Sequence, residues 1–126
     1  MRLLLAFAIF AGTLVQAAEW EGYERLSREQ VLQRVEQSAA RPDLYAKNLS
    51  GLKLDGIDFR GANLSAAVLN DASLTDADLS GCQLNVAFLQ RANLTSASLR
   101  RAVLFSVQLQ EGVLKGADLA GARLIG

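Results

Sequence analysis

Apolar residues fall on a strict period of five along most of this chain. From Leu49 to Leu124 every fifth residue is Leu, with Phe59 the one exchange. Two residues before each, the side chain is small or apolar in all but the first unit. It is Ala at 62, 67, 72, 77, 87, 92, 97, 102, 117 and 122, with Leu52, Ile57, Cys82, Val107 and Gly112 at the others. An amphipathic helix repeats its apolar positions at three and four, and a half-buried strand at two, so neither produces a five. A chain that turns a corner every fifth residue does. The two inward positions then project from one short extended segment, because alternate residues of a strand share a face. Four segments close a square coil, and the 16 units filling residues 47–126 predict four coils stacked at ~4.8 Å.

The units ANLSA (62–66), ADLSG (77–81), ANLTS (92–96) and ADLAG (117–121) have the form A-[D/N]-L-x-x. In this the chain resembles the pentapeptide-repeat family over the whole of residues 47–126. The resemblance implies an all-β solenoid, a right-handed quadrilateral β-helix. It implies little about activity, since one fold hosts many functions. Some members of the family protect DNA gyrase by mimicking DNA, and that use is carried here as a remote alternative.

The amino-terminal stretch follows a different pattern. Met1-Arg2 precedes an apolar run from Leu3 to Val15, and Val15-Gln16-Ala17 has the modest side chains a signal peptidase reads. A signal peptide over 1–17 is expected, cleaved after 17 or 18. The run is too short for the ~20 residues that span a bilayer. Export is therefore expected, to the periplasm or, as the alternative, into the medium, with no membrane span after cleavage. Within 18–46, Ser27 and Gln30 form a capping-box signature that predicts a helix over about 27–40. Val31, Leu32, Val35 and Ala39 share one face of it, and Arg41-Pro42-Asp43 ends it. A solenoid must close its first apolar layer. The helix is accordingly expected as an N-terminal cap on the first coil, helped by Trp20, Tyr23 and Leu26.

Composition removes several classes of function. The chain has no His and a single Cys. That withdraws the commonest general base, the serine and cysteine triads and most transition-metal sites, and it leaves no intramolecular disulfide. Beyond residue 17, 12 basic residues face 13 acidic ones, and over 47–126 the tally is 8 to 7. Neither the basic stripe of a nucleic-acid binder nor the acidic surface of a DNA mimic is present. No phosphate loop or acid pair in a cleft is evident, so an enzyme is not expected, nor a cofactor or metal. Asp58, Asp78 and Asp118 stack on one wall with Ser98 between, but Arg60, Arg100 and Arg101 accompany them. Cys82 replaces Ala in a row of Ala and is expected to be a buried small hydrophobe.

Outward positions are mostly polar, which makes the apolar ones informative. Val68 and Phe88 fall in one column, Phe105 and Ile125 in another, with Val86 at the corner between and Val103 close by. A clustered apolar surface marks contact with a partner. These six are the candidate partner-binding residues. Leu109, Leu114, Leu119 and Leu124 belong to the last coil, whose apolar layer and strand edges invite association. The expected function is an exported protein-interaction or scaffolding module that docks an unidentified protein or envelope component through its outer walls. A self-associating structural spacer of the envelope, joined through the carboxyl-terminal coil, is the alternative.

Overall fold

The structure is a computed structural model that describes residues 20–38 and 40–126. The expected signal peptide over 1–17, its cleavage after 17 or 18, and Ala39 lie outside the described residues.

Each unit takes the same path. In Ala62–Ala66, Ala62 and Leu64 turn inward and are buried, while Asn63 pairs in parallel with Gln83. Ala66 then turns the corner at φ 60°, and Ala67 N donates to Leu64 O at 3.1 Å to close the turn. The coils are tied by bonds in both directions: Leu64 N donates to Gln83 O at 2.7 Å, and Gln83 N donates to Ala62 O at 3.0 Å. Among the described residues the bridges run in four ladders, one per wall. Three are Asn48–Val68–Phe88–Gln108, Lys53–Ser73–Asn93–Val113 and Asp58–Asp78–Ser98–Asp118. The fourth is Asp43–Asn63–Gln83–Val103–Arg123. The chain is a repeat β-solenoid.

Two features differ from the sequence expectation. The extended segments shrink to one bridged residue per unit, because a left-handed corner interrupts the extended backbone every five residues. The register also starts one unit earlier than Leu49. Leu44 is buried, Asp43 bridges Asn63, and Ala46 turns a corner at φ 54°.

The core is a stack of leucines with small residues between. Leu49 through Leu104 are at most 3% exposed, Phe59 included. Each such burial contributes ~1.5–3 kcal/mol before the entropy of ordering is set against it. Cys82 lies in this stack as expected, and its Sγ donates to Phe59 O at 3.0 Å. Burial pushes its thiol pKa up to about 12.

The amino-terminal segment adds one helix, α1 (Arg28–Gln37). Ser27 caps it with both bonds of the box: Gln30 N donates to Ser27 Oγ at 3.1 Å, and Ser27 N donates to Gln30 Oε1 at 2.8 Å. α1 ends short of the expected residue 40. Ser38 leaves the helix at ψ 126°, its Oγ donating to Arg34 O at 2.8 Å, which competes with a further helical turn. Val31 enters the same core as the leucines, and Leu32 and Val35 pack partly against it. Arg28 Nε donates to Lys53 O at 2.8 Å, fastening α1 to the repeat. Before α1, Glu24–Leu26 extends the first ladder by one rung. Arg25 bridges Asn48, Asn48 N donates to Glu24 O at 2.8 Å, and Leu26 is buried.

Candidate functional site

The tube offers little space inside. Along the axis runs an apolar hollow of about 30 Å³, lined by leucines from Leu79 to Leu124. That is far below the several hundred Å³ of a ligand pocket. Function must therefore be sought on the walls, corners and ends.

The charged wall is internally satisfied. Arg60 holds Asp58 through two side-chain bonds of 2.8 and 2.6 Å and approaches Asp78 at 3.8 Å. Arg100 pairs with Asp118 at 2.9 Å. The Arg60 hydrogen bonds hold the Asp58 carboxyl below its usual range, and the bonds from Ala120 N and Arg100 do the same for Asp118. Among the described residues no three of His, Cys, Asp and Glu are grouped to hold a metal ion. No described helix is long and apolar enough to cross a membrane.

The six apolar candidates separate into two groups. Val68 is fully buried and Phe88 half-buried, so this column is not the open surface expected from its outward register. For Phe88 the cover is the amino-terminal segment. Trp20 meets the Phe88 ring edge-on with centroids 4.9 Å apart, and Tyr23 meets Trp20 at 5.5 Å. Val68 accordingly leaves the candidate set. The other group follows the adjoining corner. Val86 is 51% and Ile125 65% exposed, with half-buried Phe105 beside them carrying Arg123 over its ring at 5.2 Å. Val103, on the next wall, is half-buried.

Val86 is unusual as the one β-branched residue among the described corners at positive φ. It turns its corner at φ 52°, a region that β-branched residues avoid and where glycine or a small polar residue is at ease. The equivalent corner of the next coil is taken by Ser106. A strained, exposed Val at a corner is explained by neither packing nor backbone preference. Such an outlier points toward function.

The carboxyl-terminal coil is the other apolar surface. Leu114 is 37%, Leu124 55% and Val113 45% exposed, the last being a position the sequence reading did not select. Leu109 and Leu119 remain partly buried against the core, so the end presents two of its four leucines openly. Among the described residues the amides of Leu109, Leu114, Leu119 and Leu124 have no backbone partner, whereas Leu104 N donates to Arg123 O at 2.8 Å.

Comparison with known proteins matches the same residues. The family model for pentapeptide repeats fits residues 48–81 and 72–110, with eight copies. The solved structure of a pentapeptide repeat protein from Nostoc PCC 7120, alr5209, is 28% identical with a TM-score of 0.70. The match covers 82% of this chain and 99% of that one. HetL, a pentapeptide repeat protein involved in heterocyst differentiation regulation in the same cyanobacterium, is 34% identical with a TM-score of 0.40. That match covers 78% of this chain and 48% of HetL. A pentapeptide repeat protein of the Arabidopsis thaliana thylakoid lumen is 35% identical with a TM-score of 0.41, over 65% of this chain and 63% of that one. A comparison with curated proteins gives no match.

Proposed function

The chain belongs to the pentapeptide-repeat family, and from that premise we propose that it is an exported protein-interaction or scaffolding module. In this reading the repeats form a right-handed β-helix of four coils, α1 caps the amino-terminal end, and the signal peptide carries the protein to the periplasm. The docking surface is the corner of Val86, Phe105 and Ile125, continuing onto the exposed leucines of coil 107–126. The observation that carries the reading is exposed Val86 at φ 52° and exposed Ile125 flanking Phe105 from the coils on either side, on a solenoid whose other outward positions are mainly polar. Burying such a patch against a partner gives the association its driving force.

The test is a photo-crosslinking residue placed at 125, and separately at exposed Glu29 on α1, in cells exporting the protein. A discrete adduct at 125, absent at 29 and lost when Val86→Glu is added, is expected. The same adducts at both positions, or none at 125, would contradict the proposal. Amino-terminal sequencing of the exported protein tests cleavage after 17 or 18.

Self-association is a second reading, favoured by the unpaired amides and exposed Leu114 and Leu124 of the last coil. Another copy meeting that coil edge to edge would satisfy both the amides and the leucines. Since α1 occupies the opposite end, the contact would join like to like and close at a dimer, rather than extend into a filament. Sedimentation of a dimer that Leu114→Glu/Leu124→Glu converts to monomer supports it. A monomer at high micromolar concentration excludes it.

A further inference from the structure

The strip of wall around Phe88 is apolar, yet it is not used by the solenoid's own core. Its column runs Asn48, Val68, Phe88, Gln108, so the two central rungs are large and apolar where outward rungs elsewhere are mostly polar. The chain sets its own Trp20 against the Phe88 ring, with Tyr23 packed on Trp20. The manner of covering is informative. Among the described residues, Trp20 meets the Phe88 ring edge-on at 4.9 Å, Tyr23 packs on Trp20 at 5.5 Å, and neither makes a side-chain hydrogen bond. The turn is closed by one backbone bond, Tyr23 N to Trp20 O at 3.0 Å. Gly22 within it has φ 96°, and a side chain placed there would touch nothing within 4 Å.

The residues just downstream are held quite differently. Asn48 N donates to Glu24 O at 2.8 Å, Lys47 pairs with Glu24 at 2.7 Å, and Arg25 donates to Ser50 O at 2.6 Å. The polypeptide is thus pinned at 24–26 and laid loosely over the wall at 20–23. No hydrogen bond among the described residues ties 20–23 to the ladder.

We propose that residues 20–23 are a displaceable latch over an aromatic-recognition strip centred on Phe88, and that the outside occupant is an aromatic side chain on an extended segment of a partner protein. The chain's own Trp20 displays the chemistry the strip accepts: an indole meeting the Phe88 ring edge-on. Aromatic pairs of this geometry are selective as well as adhesive. Displacing the latch would widen the apolar surface from the Val86 corner onto the neighbouring wall. The inference extends the interaction-module reading, and it rests on that reading only for the identity of its user.

Trp20 is the chain's only Trp, which supplies the probe. In the native chain, Trp20 emission should be blue-shifted, and Phe88→Ala should return it to that of a free indole with the circular dichroism unchanged. A synthetic hexapeptide with the sequence of residues 18–23 is then titrated against the full chain carrying Trp20→Ala/Tyr23→Ala. Its own indole should shift blue with a midpoint well below the millimolar effective concentration of a short tether, since a latch that stays shut must bind more tightly than that. It should not shift against the native chain, or against the double variant with Phe88→Ala added. Native Trp20 emission like that of free tryptophan would overturn the latch, whether or not the variant folds. Absence of any peptide shift against a folded latchless chain would overturn the recognition strip. Val86 and Ile125 are untouched throughout, so failure here leaves the crosslinking result at 125 to stand or fall by itself.

Discussion

At the α1 end and at coil 107–126 the same leucine stack meets two different surroundings. Near α1, Leu26, Val31, Leu44 and Leu49 are at most 1% exposed, because a capped helix and an extra ladder rung lie over the first repeat. At the other end Leu114 and Leu124 stand 37% and 55% open. The large inward positions do not distinguish them, for Leu recurs at every fifth residue at both ends with Phe59 the one exchange. A solenoid's apolar face is set by its neighbours rather than by the unit. What differs is the cover each receives within the described residues, and in the proposed reading the more open end is the one used for contact.

Substitutions at equivalent leucines break or sharpen this contrast most strongly. Leu64→Ala should cost ~2–5 kcal/mol, since a closely packed stack collapses poorly around a cavity. Leu124→Ala should stay within ~0.5–1 kcal/mol, as a half-exposed residue has less to lose. Urea denaturation of the two variants gives both values, and equal losses would erase the contrast. Removing the cap is next. Ser27→Ala should cost ~0.5–2 kcal/mol in the same assay, because the Gln30 N to Ser27 Oγ bond is lost. Val86→Gly should stabilise by about 1 kcal/mol, relieving a β-branched residue at positive φ. An unchanged or lowered midpoint would show that Val86 is not strained.

The smallest effect expected is electrostatic. Hydrogen bonds from Lys47, Arg60 and Arg91 hold the carboxyls of Glu24, Asp58 and Asp71 below their usual range. A folded-state value below the unfolded one contributes stability above the unfolded pKa, and it is lost as pH falls through the folded one. Melting temperature should therefore fall modestly below about pH 4, and high salt should shrink the drop, since these pairs are largely exposed. A salt-insensitive acid transition would point to buried groups instead.

Much of this was legible in the residues, and the misses have identifiable causes. The period of five located the inward positions, the Asp58–Asp78–Ser98–Asp118 wall and the burial of Cys82. Leu44 lies in the same register but was assigned to the segment before the repeats, because Pro42 reads as the end of a helix. Val68 points outward by register and is nevertheless buried. No periodicity announces that a segment twenty residues before the first unit will lie across that wall. The left-handed corners left a signal that went unused: Gly51, Gly56, Gly61, Gly81, Gly116 and Gly121 share one position in the unit, all at positive φ. Val86 occupies the same position, and its strain became visible only with the backbone in hand.

Amide hydrogen exchange on dilute protein tests the contrast between the ends most directly. The account predicts strong protection for Leu64, Leu74 and Leu84, whose amides bond the next coil at 2.7–2.8 Å, and little for Leu109, Leu114 and Leu119. Protection at those last three should appear only when a partner or a second copy docks. Equal protection of both sets in the isolated, dilute chain would mean that the last coil is already covered, and would contradict the account.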